Sequence, residues 1–348
     1  MSSRLRSSLF LLAWLLMLTV CFLCLTAFPQ AAKSVKGADP NSPAHEADSL
    51  FGIKKDGKYG YIDKTGKIVI PPQYADAGGF YEGLAAVNVG SKWGFIDRAG
   101  KMVIPPRYDA ADWFHEGRAR VRVGASLGFI DNTGKMVIPP RFDEAGEFSE
   151  GMAVVTLKSG SKWGFIDKNG HTVIPEQYDS ASGFREGLAE VTIGHKTGFI
   201  DPSGKMVITP QFEEATGFSQ GLAQVSVNDK WGFIDKTGKI VIPPQYDLAF
   251  PFSEGLAKVN VGDKVGFIDK TGRMTISAQY DDADWFREGL TAVSVGRRWG
   301  FIDKTGKMVI PAQYRHAFSF DQGLAGVWVG DRTGLIDMSG KYVWEPTK

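Results

Sequence analysis

Two tryptophans occupy a position that corresponding segments of the chain fill with small or polar residues. Trp113 and Trp285 each follow an aspartate, Asp112 and Asp284. The same position elsewhere holds Gly79, Glu147, Gly183, Gly217, Pro251 and Ser319. Because a position that accepts both glutamate and glycine is typically exposed, we expect both indole rings to face solvent. An exposed tryptophan beside a carboxylate is suited to stacking on a sugar or capturing a peptide.

Trp328 likewise occupies a position that the corresponding segments of the chain fill with polar residues. The corresponding residues are Asn88, Arg122, Thr156, Thr192, Ser226, Asn260 and Ser294. The sequence therefore predicts a third outward-facing tryptophan. The alternative for all three is that their rings only cover neighbouring parts of the fold, and both interpretations remain open.

A cluster of arginines is the second candidate site. Arg118, Arg120 and Arg122 alternate in the stretch "GRARVRVG", which places them on one face of a strand, and Arg107 and Arg141 lie nearby in sequence. Such a face could bind an anionic glycan or a lipid headgroup. A solvated strand face explains the same pattern.

Enzyme chemistry has little support in the sequence. The repeated region contains His115, His171, His195 and His316, and none recurs at the equivalent position of a neighbouring repeat. The sequence has no HExxH, GxSxG or phosphate-binding glycine loop. We therefore predict no catalytic residue, no cofactor and no metal site, although a composite catalytic site built from unlike loops is an alternative.

The charge balance argues against nucleic acid as a partner. The 348 residues carry a net charge of +1, and residues 33–348 contain 38 basic and 39 acidic residues. Polyanion binding depends on clustered lysine and arginine, so we expect a protein or an envelope glycan as partner instead.

The N-terminus has the features of an export signal. Arg4 and Arg6 precede an uncharged run, Leu9–Phe28, which is long enough to span a bilayer. Residues 1–32 are therefore predicted to be a signal peptide or an uncleaved membrane anchor, and residues 33–48 a polar linker. Cys21 and Cys24 both lie inside this run, so the exported part contains no cysteine and no disulfide. We expect a periplasmic, secreted or membrane-tethered protein.

The remaining chain, residues 49–348, is one motif written nine times. The glycine of the "GFID" motif recurs every 34 residues, except once, where "TLKSGSKWG" is two residues longer than "NVGSKWG". Each unit shows three strand signals and no helical periodicity. The third strand, "KMVIP", is apolar on both sides, which predicts burial of both faces, and the proline pair is expected to end it.

An Asp-x-x-Gly turn joins the second and third strands in every copy, as at Asp97 and Gly100. The aspartate can accept hydrogen bonds from backbone N–H groups of the turn, and the glycine can adopt positive φ. The pair is therefore predicted to be structural.

Two aromatic positions recur in the eight connectors between units, and both are predicted to be core. One is always phenylalanine, as at Phe114, and is followed two residues later by glutamate or glutamine. Since a carboxylate that exchanges with an amide cannot be a required acid or base, we predict that this Glu or Gln only forms hydrogen bonds.

The residue before the repeated glycine is tryptophan only in alternate units, at Trp93, Trp163, Trp231 and Trp299. Tyrosine, leucine, threonine or valine stands there in the others. We predict that these tryptophans are structural, and that neighbouring units either pack in two orientations or descend from a doubled pair.

The motifs "KWGFID", "IPPQYD" and "F-x-E-G-L-A-x-V" resemble the WG-repeat family of bacterial proteins over about Leu50–Lys348. The resemblance implies bacterial origin, tandem β-rich units and an extracytoplasmic setting. It carries no shared catalytic residues.

These observations predict an all-β protein of stacked three-stranded meanders. An open, twisted solenoid is expected, with a closed propeller-like ring as the alternative. The expected function is non-catalytic binding or scaffolding in the cell envelope. The alternatives are glycan binding through the exposed tryptophans and an enzyme with a composite site.

Overall fold

The computed structural model describes residues 50–347, so the predicted signal or anchor and the linker lie outside the described residues. This part of the chain folds into nine antiparallel sheets, which we call blades 1–9 in chain order. Blade 1 has three strands and each later blade has four, in the order a-b-c-d. The all-β, tandemly repeated architecture predicted from the sequence is confirmed.

The strands of each type have closely similar bounds. The a strands are β4 (Asp76–Tyr81), β8 (Ala110–His115), β12 (Glu144–Ala145), β16 (Ser180–Ala181), β20 (Glu214–Ala215), β24 (Leu248–Ser253), β28 (Asp282–Ala283) and β32 (His316–Ala317). The b strands are β1 (Phe51–Lys55), β5 (Leu84–Val89), β9 (Arg118–Val123), β13 (Met152–Thr156), β17 (Ala189–Ile193), β21 (Ala223–Val227), β25 (Leu256–Val261), β29 (Leu290–Val295) and β33 (Leu324–Val329).

The c strands carry the repeated glycine, and the d strands follow the Asp-x-x-Gly turn. The c strands are β2 (Lys58–Ile62), β6 (Lys92–Asp97), β10 (Ser126–Ile130), β14 (Trp163–Asp167), β18 (Lys196–Ile200), β22 (Lys230–Ile234), β26 (Lys264–Asp269), β30 (Arg298–Asp303) and β34 (Arg332–Asp337). The d strands are β3 (Ile68–Tyr74), β7 (Met102–Tyr108), β11 (Met136–Phe142), β15 (Thr172–Tyr178), β19 (Met206–Phe212), β23 (Ile240–Tyr246), β27 (Met274–Tyr280), β31 (Met308–Tyr314) and β35 (Tyr342–Thr347).

The prediction of a three-stranded unit was wrong for eight blades, because the connector supplies a fourth strand. Asp76 and Ala77, for example, pair with Asn88 and Val87 of the next strand. Backbone N–H and C=O groups in a partly buried connector need partners, and the free edge of the b strand provides them.

The d strand is an edge strand of each sheet, and this overturns two predictions. Ile104 is fully buried while Val103 on the opposite face is 40% exposed, so the strand is not buried on both faces. Pro105 and Pro106 lie within β7 and do not end it. A proline without an N–H is tolerated there because one side of an edge strand has no ladder to join.

The repeated glycine of each c strand lies against a bulge in its d strand. The register between β6 and β7 shifts twice, once between Trp93 and Phe95, where Gly94 lies, and again between Phe95 and Ile96. A Cβ atom added to Gly94 would lie 2.5 Å from the carbonyl oxygen of Ile104 and 2.7 Å from the nitrogen of Pro106. The glycine of the motif is therefore required by close backbone approach.

The Asp-x-x-Gly turns have the predicted structural role. Asp97 Oδ1 accepts hydrogen bonds from the backbone N–H groups of Ala99 (3.0 Å) and Lys101 (2.9 Å). Gly100 has a φ of +79°. The side-chain acceptor and the glycine with positive φ together form the tight turn between the c and d strands.

The aspartates of these turns make the fold sensitive to acid. The Thr237 hydroxyl, which donates to Asp235 Oδ1 at 2.6 Å, holds the pKa of Asp235 below its ordinary value of 3.8. Because this pKa is lower in the folded than in the unfolded state, its stabilising effect is present above pH 3.8 and is lost as the pH falls through the folded-state pKa. We expect urea unfolding midpoints at pH 7 and pH 3 to differ less for Asp235→Asn than for the unmodified protein. Equal differences would contradict this assignment.

The core lies between blades, where the recurring aromatic residues meet. Phe95 of blade 2 and Phe114 of blade 3 are both buried, with ring centroids 5.0 Å apart in an edge-on arrangement. Equivalent pairs join the other consecutive blades: Tyr61–Phe80, Phe129–Phe148, Phe165–Phe184, Phe199–Phe218, Phe233–Phe252, Phe267–Phe286 and Phe301–Phe320. The other aromatic position of the connectors, Tyr108 and its equivalents, is buried as well, so both connector positions lie in the core.

The alternating tryptophans are part of the same packing. Trp93 and Trp231 are buried, and Trp163 and Trp299 are half-buried. Since the same aromatic pair joins each of these blades to the next, neighbouring blades pack in one orientation rather than two. The structural role of the four tryptophans and the doubled-pair origin both stay predictions.

A ladder of hydrogen bonds also links the turns between a and b strands. Glu82 Oε2 accepts from the backbone N–H of Gly117 in the next blade at 2.9 Å. At the equivalent link Gln220 Oε1 accepts from Gly255 at 3.0 Å. Either residue supplies the same oxygen acceptor, which confirms the hydrogen-bonding role predicted for this position.

The blades close into a ring, so the prediction of an open solenoid was wrong and the stated alternative is correct. The Thr347 hydroxyl of blade 9 donates to the carbonyl oxygen of Lys54 in blade 1 at 2.6 Å. A Cβ on Gly66 of blade 1 would meet the carbonyl oxygen of Val343 in blade 9, as one on Gly100 would meet Ile70 of the preceding blade. The structure is a nine-bladed β-propeller. Closure covers the two end faces that an open stack would leave exposed.

Candidate functional site

The richest group of chemically useful side chains lies across blades 2–4, near the turns that join the a and b strands. It comprises Tyr81, Asp112, Trp113, Arg120 and Glu147, and we call it the aromatic–carboxylate cluster. Tyr81 ends β4 and Trp113 lies near the end of β8. Glu147 occupies in blade 4 the position that Trp113 has in blade 3, so blade-to-blade packing brings the two together.

The tryptophan of the cluster is held on two sides. Its ring stacks on Tyr81 with centroids 5.3 Å apart and planes inclined by 30°. Its indole N–H donates to Glu147 Oε2 at 3.1 Å. Trp113 nevertheless stays 36% exposed, which confirms the predicted exposure. The result is a fixed aromatic surface beside a carboxylate.

The charged members of the cluster pair with one another. Arg120 donates from Nε to Asp112 Oδ2 at 2.6 Å, and from a terminal nitrogen to the carbonyl oxygen of Ala145 in the next blade. Burial raises the pKa of Glu147 above its ordinary 4.5, and the charge of Asp112 raises it further, whereas Arg120 lowers it. Glu147 therefore takes up a proton more readily than an exposed glutamate.

The other two predicted tryptophans are elsewhere in the ring. Trp285 in blade 8 is half-buried and its indole nitrogen is shielded from solvent, so the exposure predicted for this ring is not found. The Oδ2 atom of its neighbour Asp284 accepts from the Ser319 backbone N–H at 3.1 Å. Trp328 in blade 9 is half-buried and pairs across the sheet with His316. The structure thus separates the three predicted tryptophans into three sites, and ligand binding by Trp285 or Trp328 stays a prediction.

The arginines of β9 each contact a different acceptor. Arg118 donates to the carbonyl oxygen of Lys168 at 3.1 Å, and Arg122 to that of Ala125 at 3.1 Å. Arg120 is paired with Asp112, as described above. Anion binding by this strand face stays a prediction.

Sequence reasoning missed Tyr81 and Glu147, although the repeat period contained a signal. Glu147 follows Trp113 by 34 residues, the length of one repeat. A comparison of each position with the same position in the adjacent unit would have paired Glu147 with Trp113.

Two kinds of feature are not found in residues 50–347. No group of three or more His, Cys, Asp or Glu side chains there is arranged to hold a metal ion. Nor does that range contain a helix long and apolar enough to cross a membrane.

The sequence pattern of one protein family, described as "WG containing repeat", matches eight stretches of the chain. They are residues 59–93, 93–125, 128–159, 163–196, 198–231, 231–264, 266–298 and 299–331. The chain belongs to the WG-repeat family. As a WG-repeat protein it has nine structural units, of which the ninth ends in the seam with the first. No match was found among curated protein sequences.

The chain is similar to several solved structures, at low sequence identity. A structure of the eukaryotic initiation factor is 10% identical, with a TM-score of 0.60, covering 86% of this chain and 98% of its own. Virginiamycin B lyase from Staphylococcus aureus is 14% identical, with a TM-score of 0.38, and the match covers 67% of this chain and 92% of the lyase chain. Dihydro-heme d1 dehydrogenase NirN is 13% identical, with a TM-score of 0.47, and the match covers 83% of this chain and 78% of the dehydrogenase chain. At such identities the first similarity is one of fold alone.

Proposed function

We propose that this WG-repeat propeller is a non-catalytic binding protein of the bacterial envelope, and that its aromatic–carboxylate cluster binds a saccharide. The observation that carries the proposal is the fixed, partly exposed ring of Trp113. Tyr81 and Glu147 hold it in place before any ligand arrives.

The chemistry of the cluster suits a sugar. The apolar C–H face of a pyranose stacks on an indole ring, and its hydroxyl groups donate to carboxylate oxygens. A ring held by a neighbouring aromatic and a hydrogen bond loses little conformational entropy when a ligand binds. Glu147 and the Asp112–Arg120 pair supply polar partners around that ring.

Binding is tested by tryptophan fluorescence with soluble peptidoglycan fragments. We expect saturable quenching by the unmodified protein and at least tenfold weaker binding by Trp113→Ala, because the stacking surface is removed. Trp285→Ala is the matched control, since it removes the equivalent indole of blade 8, and it should bind normally. Equal affinity of the two variants, or the absence of quenching in the unmodified protein, would contradict the proposal.

Protein scaffolding is a second candidate, and exposed aliphatic side chains favour it. They lie at the end of a b strand or, for Leu157, directly after one, on the side away from the a–b turns: Val89, Val123, Leu157, Ile193, Val261, Val295 and Val329. Exposed apolar residues on one face of a ring suit a protein partner. Capture of a protein by crosslinking in the native envelope, with no response to glycans, would favour this candidate.

A further inference from the structure

Blade 4 departs from the other blades at its b–c hairpin. Pairing between β13 and β14 ends at Val155 and Gly164, whereas in blade 2 it continues to Val89 and Lys92. The two additional residues of this hairpin therefore lie outside the ladder. Leu157, which follows the last b-strand residue, is 53% exposed.

A second departure in the same blade accompanies the first. Glu176 stands where other blades have proline or alanine: Pro72, Pro106, Pro140, Pro210, Pro244, Ala278, Ala312 and Pro346. Its Oε1 atom accepts a hydrogen bond from the backbone N–H of Leu157 at 3.1 Å. The glutamate thus binds the backbone that the longer hairpin has released from pairing.

These two changes border a cavity of about 330 Å³ between blades 3 and 4. Its lining includes Phe142, Val155, Leu157 and Ile174, together with Arg141 and Glu176. A cavity of this size is at the lower end of the range for small-molecule sites. It combines apolar walls with one positive and one negative side chain.

Both charged groups retain hydrogen-bonding capacity. Arg141 donates from Nη2 to the carbonyl oxygen of Gly170 at 2.6 Å, and its guanidinium lies 4.9 Å from the centre of the Phe142 ring. Within residues 50–347, its remaining N–H groups and the Oε2 atom of Glu176 have no hydrogen-bond partner. A guanidinium is suited to a carboxylate, and a carboxylate oxygen to an ammonium group.

We infer that this cavity binds a small zwitterion, an α-amino acid with an apolar side chain. Arg141 holds the carboxylate, Glu176 holds the ammonium group, and Phe142 and Leu157 contact the side chain. The C-terminal residue of a peptide shares the carboxylate and side chain but has an amide in place of the ammonium group. The site is separate from the aromatic–carboxylate cluster and does not depend on the function proposed for it.

Calorimetric titration with L-leucine and two of its derivatives tests the inference. L-leucine is expected to bind saturably, N-acetyl-L-leucine at least tenfold more weakly, and L-leucinamide not at all, because each derivative lacks one charge. Equal binding of leucine and N-acetyl-leucine would overturn the zwitterion and assign the cavity to peptide C-termini. No binding of leucine, or undiminished binding of leucinamide, would also overturn it.

Three variants separate loss of the site from loss of the fold. Arg141→Gln should weaken leucine binding at least tenfold, whereas Arg107→Gln should leave it unchanged. Arg107 forms the same bond one blade earlier, to Gly134 at 2.6 Å, and does not line the cavity. A third variant gives blade 4 the hairpin length and the proline of the other blades, by deletion of Lys158 and Ser159 together with Glu176→Pro. It should retain the folded circular dichroism spectrum and lose binding, and retained binding would overturn the inference.

Discussion

Gly232→Ala is expected to lower the free energy of unfolding by about 3 kcal/mol or more, which is at the upper end for overpacking of a single site. A Cβ at this position would lie 2.4 Å from the carbonyl oxygen of Ile242 and 2.6 Å from the nitrogen of Pro244. Both are backbone atoms of the bulged d strand, so no side-chain rotation can relieve the contact. Urea unfolding followed by circular dichroism measures the change.

Gly52→Ala is the matched control for this substitution. Gly52 lies in β1, and a Cβ there would have no atom within 4 Å. Because alanine costs less backbone entropy on folding than glycine, we expect this variant to be as stable as the unmodified protein or slightly more stable. Similar losses in both variants would show that close backbone approach is not the reason for the glycine.

Phe252→Ala is expected to destabilise the ring by about 3–5 kcal/mol, the usual range for truncating a buried phenylalanine. Phe252 and Phe233 are both fully buried, with ring centroids 4.9 Å apart across the junction of blades 6 and 7. Removal of one ring leaves a cavity between two sheets that the backbone cannot easily close.

Phe252→Leu preserves most of the side-chain volume and is expected to cost less than about 1.5 kcal/mol. The unfolding midpoints of the two variants in urea give the comparison. If the alanine and leucine variants were equally stable, the edge-on pair would not be a principal contact between blades.

Local features of this fold could be predicted because they depend on residues close in sequence. The turn of Asp97 and Gly100 needs only a side-chain acceptor and a positive φ within four residues. The aromatic core followed from the recurrence of Phe114 and its equivalents. The same turn and aromatic residues recur in each repeat, so the pattern is easy to recognise in the sequence.

Features that depend on the angle between blades could not be predicted in this way. Closure depends on the contact of Thr347 with Lys54, which are 293 positions apart. The angle itself comes from the packing of whole sheets, and no short motif encodes it. For the same reason the edge position of the d strand, and with it the exposure of Val103, was missed.

The candidate site also has one part that could be predicted from the sequence and another that depends on the stacking of blades. The exposure of Trp113 could be predicted from the residues that other repeats place there. Its partners Tyr81 and Glu147 belong to two other blades, so their roles depend on how neighbouring blades stack. The cavity between blades 3 and 4 is bordered by the longer hairpin of blade 4 and by Glu176. The sequence shows both features, but only the fold shows that Glu176 contacts the backbone of Leu157.

The seam between blades 9 and 1 has a topological consequence. Eight junctions of the ring are crossed by the polypeptide itself. The ninth is made by contacts such as that of Thr347 with Lys54, and within residues 50–347 no strand is exchanged across it. The circular arrangement of the blades is therefore independent of which blade comes first in the covalent order. A circularly permuted chain that began at another blade would therefore form the same ring, in which each of the nine blades has the same two neighbours.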